Sequence, residues 1–275
     1  MPEIRGITIA VGAPYAFTLG ICLPRNMRHF SECTVVTTPD DHAVKAVASK
    51  VPGVRVVETD EFFAHGAKFN KGLAMERGFS EMGRHGWIWI WDADCLFPDF
   101  VPFERLQFGK LHGCRRRILQ DPRRWHTGLP WSACPPCRNE GPIGFTQIFH
   151  ADDPVVKDRQ PWYDVSFGHA GGGDAAFLRH WTGDKHVALP MDVLHLGPRD
   201  TNWFGTDEAS RQLMSEFVVR NRWTKRRPEL NGKHPDESVS IPHRVHVPGY
   251  GISDFELPFV RHRQQAEQTS ITTAP

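Results

Sequence analysis

The chain is predicted to be an α/β protein with a mostly parallel sheet flanked by helices. Three observations predict it. Short β-branched apolar runs alternate with segments of helical periodicity through the first hundred residues. The run "WIWIW" at 87–91 is apolar without alternation, as a strand covered on both faces must be. The acidic residues cluster where apolar runs end, and ligands gather at the carboxyl ends of strands in such sheets.

Each element can be justified in order. "ITIAV" (7–11) reads as a first buried strand, and 15–27 as a helix that Pro24 interrupts. "TVVTT" (34–38) is a second strand. Pro39, Asp40 and Asp41 then signal helix entry, and 43–49 follows as a helix. "VRVV" (54–57) is a third strand. In 70–82, Leu73, Met75, Gly78 and Phe79 recur at helical spacing. The fourth strand is 87–91. The stretch 101–140 lacks periodicity and is rich in Arg, Pro, Cys and Trp, so it reads as a loop-rich insertion. Strands are expected again at 143–149 and, before a turn, within 186–198. A glycine turn into a helix is expected at 171–181, and a further helix at 207–222.

The 275 residues suffice for one domain, expected over 1–263, with a flexible polar tail over 264–275. A formal net charge of +1 points to no class of partner. No run approaches the roughly 18 apolar residues of a membrane span, and residues 1–11 are too short and polar for a signal peptide. Six scattered cysteines suit a reducing compartment, so a cytoplasmic location is expected.

Asp92 and Asp94 end the fourth strand one residue apart. Two carboxylates so placed repel unless a cation joins them. Oxygen donors favour Mg²⁺, Mn²⁺ or Ca²⁺, and an added imidazole tilts the choice to Mn²⁺. His195 ends another apolar run and is the imidazole candidate. The plainer readings are a pair of turn carboxylates and a hydrogen-bonded core histidine.

The stretch "FNKGLAMERGFSEMGRHGWIWIWDADCLFP" (69–98) resembles the centre of GT-A fold, nucleotide-sugar-dependent glycosyltransferases. It is most similar to the β4-galactosyltransferase-like and polypeptide N-acetylgalactosaminyltransferase-like groups. Phe69, Asn70, Lys71, Gly78, Phe79, Asp92, Asp94, Leu96, Phe97 and Pro98 match. "GGGDAAFLR" (171–179) and "LHLGPRD" (194–200) resemble later family blocks in the same order. The resemblance implies a GT-A, Rossmann-like mixed sheet and a hexosyl- or pentosyltransferase using Mn²⁺ or Mg²⁺ and a nucleotide sugar, expected to be a UDP-sugar. It implies that Asp94 and His195 bind the metal, with Asp92 shared between metal and donor sugar. Asn70 and Lys71 would lie near the nucleotide, Asp40 or Asp41 near uracil or ribose, and Asp174 would be the general base. Gly172 and Gly173 would let the backbone approach the donor sugar.

Two departures stand out. Gly173 replaces the family's acidic residue before the base, and Ala170 replaces its acceptor-stacking Trp. The acceptor is therefore not expected to be N-acetylglucosamine. Asp192 stands where the galactosyltransferases carry a metal-binding Met, and is a further candidate ligand. The chemistry fits independently. A metal stabilises the departing diphosphate, and a carboxylate takes the acceptor's proton. One base and direct displacement imply inversion. Asp174 could otherwise cap the following helix.

His112, Cys114, Cys134 and Cys137 form H-x-C and C-x-x-C pairs, a pattern that can close a structural Zn²⁺ site. The insertion is also basic: Arg105, Lys110, Arg115, Arg116, Arg117, Arg123, Arg124 and Arg138 stand against Asp121, with Trp125 and Trp131 interleaved. A second basic stretch covers Val218 to Arg227. Either a solvated face or an anionic acceptor accounts for them, the latter including a hydroxymethylated DNA base or a polyanionic glycan. The competing functions are a DxD phosphohydrolase and a non-catalytic nucleic-acid-binding protein.

Overall fold

The structure, a computed structural model, describes residues 2–137, 141–142, 144–168, 170, 172–197 and 246–249. The helix expected at 207–222, the basic stretch at 218–228 and the tail at 264–275 lie outside the described residues. So do Arg138, Gly171 and residues 198–200.

Eight strands form one mixed sheet: β1 (Ile4–Ile9), β2 (Glu32–Thr37), β3 (Val54–Glu58), β4 (Trp87–Trp91), β5 (Cys95–Leu96), β6 (Leu111–Leu119), β7 (Thr146–His150) and β8 (His186–Leu196). Their order is β3-β2-β1-β4-β7-β6-β8-β5. The first four strands run parallel to one another. They are joined by α1 (Ala13–Asn26), α2 (His42–Ala48) and α3 (Lys71–Met82). Strand β7 runs antiparallel to both β4 and β6, and β8 lies parallel to β6. A short helix, α4 (Gly173–Leu178), precedes β8.

The unbroken apolar run of β4 has the cause expected of it. Trp89 and Trp91 face α1 and α2, packed with Leu19, Leu23 and Val44. Ile88 and Ile90 face the opposite side, with Met75 and Phe79 of α3 and Phe177 of α4. Phe97 stacks on Trp89 with ring centroids 4.0 Å apart, and the indole N–H of Trp89 donates to Thr146 Oγ1 at 2.6 Å. Burying one such aromatic contributes about 3 kcal/mol. This packing fixes the direction in which β4 delivers the two aspartates that follow it. Pro24 does not end α1, which continues to Asn26. The Asn26 side chain then donates to Cys95 O at 2.8 Å and accepts from Phe97 N at 2.9 Å, clamping the turn after β4.

The loop-rich insertion expected at 101–140 also carries one strand that was not expected. Nine of its residues form β6, an interior strand between β7 and β8. A shift in register between Gly113 and Arg115 breaks the strand's alternation. Three arginines in series also mask the buried Leu111, Cys114, Ile118 and Leu119. Trp125 and Trp131 pack partly against the core.

Candidate active site

The site is assembled at the carboxyl end of β4. Asp92 N donates to Phe145 O at 3.1 Å, and Cys95 N to Asp92 O at 2.9 Å, so the chain turns tightly there. It then enters β5, where Cys95 pairs with His195 of β8. Leu196 N donates to Asp94 O at 2.8 Å. These backbone bonds set the His195 Nε2 3.3 Å from Asp94 Oδ2. The other ring nitrogen, Nδ1, lies 3.2 Å from Gly197 O, an acceptor, so Nδ1 carries a proton. Nε2 is thereby turned to the carboxylate with either a second proton or a lone pair. Burial works to lower the pKa of His195, but the charge and hydrogen bond of Asp94 outweigh it and raise it. Burial likewise works to raise Asp94, and His195 reverses the sign, so Asp94 is held below the usual carboxylate range.

Asp92 has a different partner. Its Oδ1 lies 3.3 Å from Lys71 Nζ. Lys71 opens α3, whose N-cap is Asn70: the Asn70 side chain accepts from Leu73 N at 2.9 Å and donates to Val165 O at 2.7 Å. Lys68 N and Phe69 N both donate to Gly168 O. The loop around 162–168 therefore lies directly on the start of α3. Gly72 permits this, since a Cβ there would collide with the Asp164 carbonyl. The packing buries Lys71, and its ammonium faces the carboxylates of Asp92 and Asp174. Burial would lower its pKa, but Asp174 and Asp92 raise it well above the ordinary lysine value. Asp92 is pushed up to about 6 by burial, against the pull of Lys71 and with the repulsion of Asp174 and Asp94.

The third carboxylate, Asp174, sits in the first turn of α4, whose N-cap is Gly172 with no side-chain cap. Asp174 is thus not the helix cap. Its Oδ1 receives Lys71 Nζ at 2.8 Å and the Tyr163 hydroxyl at 2.6 Å. Gln147 Oε1 also lies 3.0 Å from that hydroxyl, and a phenol has one proton, so the shorter contact with Asp174 takes it. Oδ2 faces Gly144, where a Cβ would stand 2.5 Å away. One oxygen of Asp174 is pinned, and the other borders a gap that only glycine leaves.

Tyr163, Gln147 and Gly144 carry no sequence signal for this role. Tyr15, in the first turn of α1, is a further neighbour: burial, then the charges of Asp94 and Asp92, raise its pKa. Glu76 of α3 braces the same loop. Its carboxylate accepts from Trp162 N at 2.9 Å, Tyr163 N at 2.8 Å and Arg84 at 2.7 Å.

The other expected residues have partners of their own. Asp41 is the N-cap of α2, accepting from Val44 N at 3.0 Å and from Gly12 N at 2.6 Å; Asp40 beside it is exposed. Gly173 is buried against the ring of Tyr163. Asp192 accepts from Arg115 Nε at 2.9 Å and Arg117 Nε at 2.7 Å, so two guanidinia occupy its oxygens. Arg123 pairs with Asp121.

The zinc expectation is corrected. His112 is buried with both ring nitrogens taken by backbone: Nε2 accepts from Gln107 N at 3.0 Å, and Nδ1 donates to Ile148 O at 3.3 Å. The cysteines Cys114, Cys134 and Cys137 are buried thiols. Among the described residues, no three His, Cys, Asp or Glu side chains gather into a group that could hold a metal ion, so Asp92, Asp94 and His195 do not form a three-ligand set here either.

No protein-family model matches the chain, and no curated protein does. Among solved structures, it is similar to a 4-diphosphocytidyl-2C-methyl-D-erythritol synthase at 15% identity and TM-score 0.40, covering 78% of this chain and 97% of that one. It is similar to the inositol-1-phosphate CTP transferase from T. maritima at 12% identity and TM-score 0.45, covering 78% and 95%. It is also similar to the galactosyltransferase LgtC, solved with donor and acceptor sugar analogues, at 13% identity and TM-score 0.35, covering 54% and 58%. These proteins are nucleotidyl- and glycosyltransferases. Similarities this low identify neither a substrate nor a reaction for this chain. No described helix is long and apolar enough to cross a membrane.

Proposed function

We propose that the chain is a metal-dependent glycosyltransferase that moves a sugar from a nucleotide sugar, a UDP-sugar by sequence resemblance, to a hydroxyl acceptor with inversion. One observation carries this reading: Asp94 with His195, and Asp92 with Lys71 and Asp174, meet at the end of one buried strand although they come from four distant stretches of chain.

The donor set at Asp94 and His195 fits a divalent cation, Mn²⁺ or Mg²⁺. The 3.3 Å between Asp94 Oδ2 and His195 Nε2 is close to the roughly 3 Å between adjacent ligands of an octahedral ion with bonds of about 2.1 Å. The Gly197 carbonyl fixes the imidazole tautomer that offers Nε2. Two protein ligands suit an ion whose remaining positions go to water and substrate phosphates. When bound, that ion offsets the charge developing on the leaving diphosphate.

The rest is done by the chain's own groups. Lys71 lies between Asp92 and Asp174 and offsets part of the charge of each. Tyr163 and Lys71 pin Asp174 Oδ1 and leave Oδ2 to take a proton from an acceptor hydroxyl. Positioning is worth as much as basicity here, because a misplaced base loses the effective concentration of an intramolecular group.

The anionic-acceptor reading narrows. Arg115 and Arg117 are engaged by Asp192, and Arg123 by Asp121, which leaves Arg105, Lys110, Arg124 and Arg116 to consider in the described part of the insertion. Of these, Lys110 pairs with exposed Asp184.

The test is mass spectrometry of products formed from mixed UDP-sugars, Mn²⁺ and candidate acceptors, including hydroxymethylated DNA. Sugar transfer or donor hydrolysis that Asp94→Ala abolishes is expected. Phosphate release from monoesters without any nucleotide sugar would instead favour a phosphohydrolase.

A further inference from the structure

Arg115, Arg116 and Arg117 are consecutive on β6, so their side chains alternate across the sheet. Arg115 and Arg117 fall on one side and clamp Asp192. Arg116 points the other way. Its guanidinium lies over the ring of Phe145, 4.7 Å from the centroid, and Phe145 O is the acceptor for Asp92 N. Its Nη2 is 3.5 Å from Cys137 Sγ. Among the described residues Arg116 forms no ion pair with any carboxylate, and its Nε–H is buried without an acceptor. The field of this cation reaches Asp92, Asp94 and His195.

A half-buried guanidinium with an unmet donor is costly unless an anion completes it. The site's carboxylates do not, since Lys71 and His195 hold them. Arginine presents a planar fork that matches two oxygens of a phosphate. We infer that Arg116 is the anion-binding residue of this site, taking phosphate oxygens of the nucleoside diphosphate through the terminal N–H groups of its guanidinium. The inference rests on the proposed function for the identity of the ligand, but not for the existence of an anion subsite. It also gives the arginine run of the insertion a division of labour: two residues lock β6 to β8, and the middle one faces the chemistry.

The probes are UDP and inorganic pyrophosphate, each with Mg²⁺, titrated by calorimetry into the wild type, Arg116→Gln and Arg116→Lys. Binding of both probes should weaken at least tenfold in Arg116→Gln and less in Arg116→Lys. In the wild type, the Nε–H resonance of Arg116, assigned by its disappearance in Arg116→Lys, should shift on adding pyrophosphate; this keeps the test valid if Arg116→Gln fails to fold. Unchanged affinity in Arg116→Gln, or an unmoved Nε–H signal during saturating binding, overturns the assignment while leaving the glycosyltransferase reading intact. Pyrophosphate binding through Arg116 without any nucleoside diphosphate binding supports the subsite and overturns the reading. A wild type that binds neither probe overturns both.

Discussion

The ammonium of Lys71 stands 2.8 Å from Asp174 Oδ1, across a contact that joins the first residue of one helix to the first turn of another. The same Nζ reaches Asp92 at 3.3 Å. A buried cation thus ties the strand-end acid to the proposed base, and the charge balance of the site depends on it.

Lys71→Met should therefore leave two partly exposed carboxylates facing each other without a counter-ion. A loss of about 1–3 kcal/mol in stability is expected, less than for a fully buried pair because solvent reaches both carboxylates. Urea unfolding of Lys71→Met, Asp174→Asn and the double variant checks it. The double variant should lose clearly less than the sum of the singles, because neutralising Asp174 removes part of the repulsion. Additive losses would mean that the contact carries no coupling.

Asp174→Asn should retain UDP binding and lose transfer by roughly 10²–10⁴-fold. Initial rates of sugar transfer beside calorimetric UDP affinity separate the two effects. Unchanged transfer would assign the base elsewhere.

Gly144→Ala probes the open oxygen of that base. An added Cβ would stand 2.5 Å from Asp174 Oδ2, so the carboxylate or the β7 approach must shift. Turnover should fall at least tenfold while UDP binding stays within about twofold, since a misdirected base loses most of its positioning advantage. Wild-type turnover would show that Oδ2 is not the working oxygen.

How much of this was legible in the sequence depended on whether the signal was local. The unbroken apolar run of β4 announced a doubly covered strand, and its end announced Asp92 and Asp94. His195 was legible because it also ends an apolar run, and β5 pairing brings it to the acids. The helix entry at Asp41 follows from a short-range rule, whereas Asn70, read only as a nucleotide neighbour, proves to be the N-cap of α3. By contrast, the contact of Lys71 with Asp174 depends on the 162–168 loop crossing α3, which no periodicity encodes. Strand β6 was hidden by its register shift and its arginines. Asp192 looked like a ligand because it stands where the galactosyltransferases it resembles carry a metal-binding Met; its partners, Arg115 and Arg117, come from a neighbouring strand and left no local signal. The H-x-C and C-x-x-C spacings were genuine, but His112 turned both nitrogens to backbone.

That use of His112 has a consequence for pH. Burial pushes its pKa down to about 4, from an ordinary value of 6.5. Between those values the unfolded chain holds the proton and the folded one does not. Stability due to this residue is full above about pH 6.5 and falls as pH drops toward 4, by at most about 1.4 kcal/mol per pH unit. Urea midpoints over that range should fall more steeply in the wild type than in His112→Gln. Parallel profiles would mean that His112 accepts a proton in the fold.

The pairing of Asp94 with His195 is tested most directly by pulsed electron paramagnetic resonance of Mn²⁺ bound with UDP. The wild type should show coupling to one imidazole nitrogen, absent in His195→Ala, with Mn²⁺ affinity sharply reduced in Asp94→Ala. Mn²⁺ that binds with UDP yet shows no nitrogen coupling, or binds equally well in both variants, would contradict a metal held by this acid–imidazole pair.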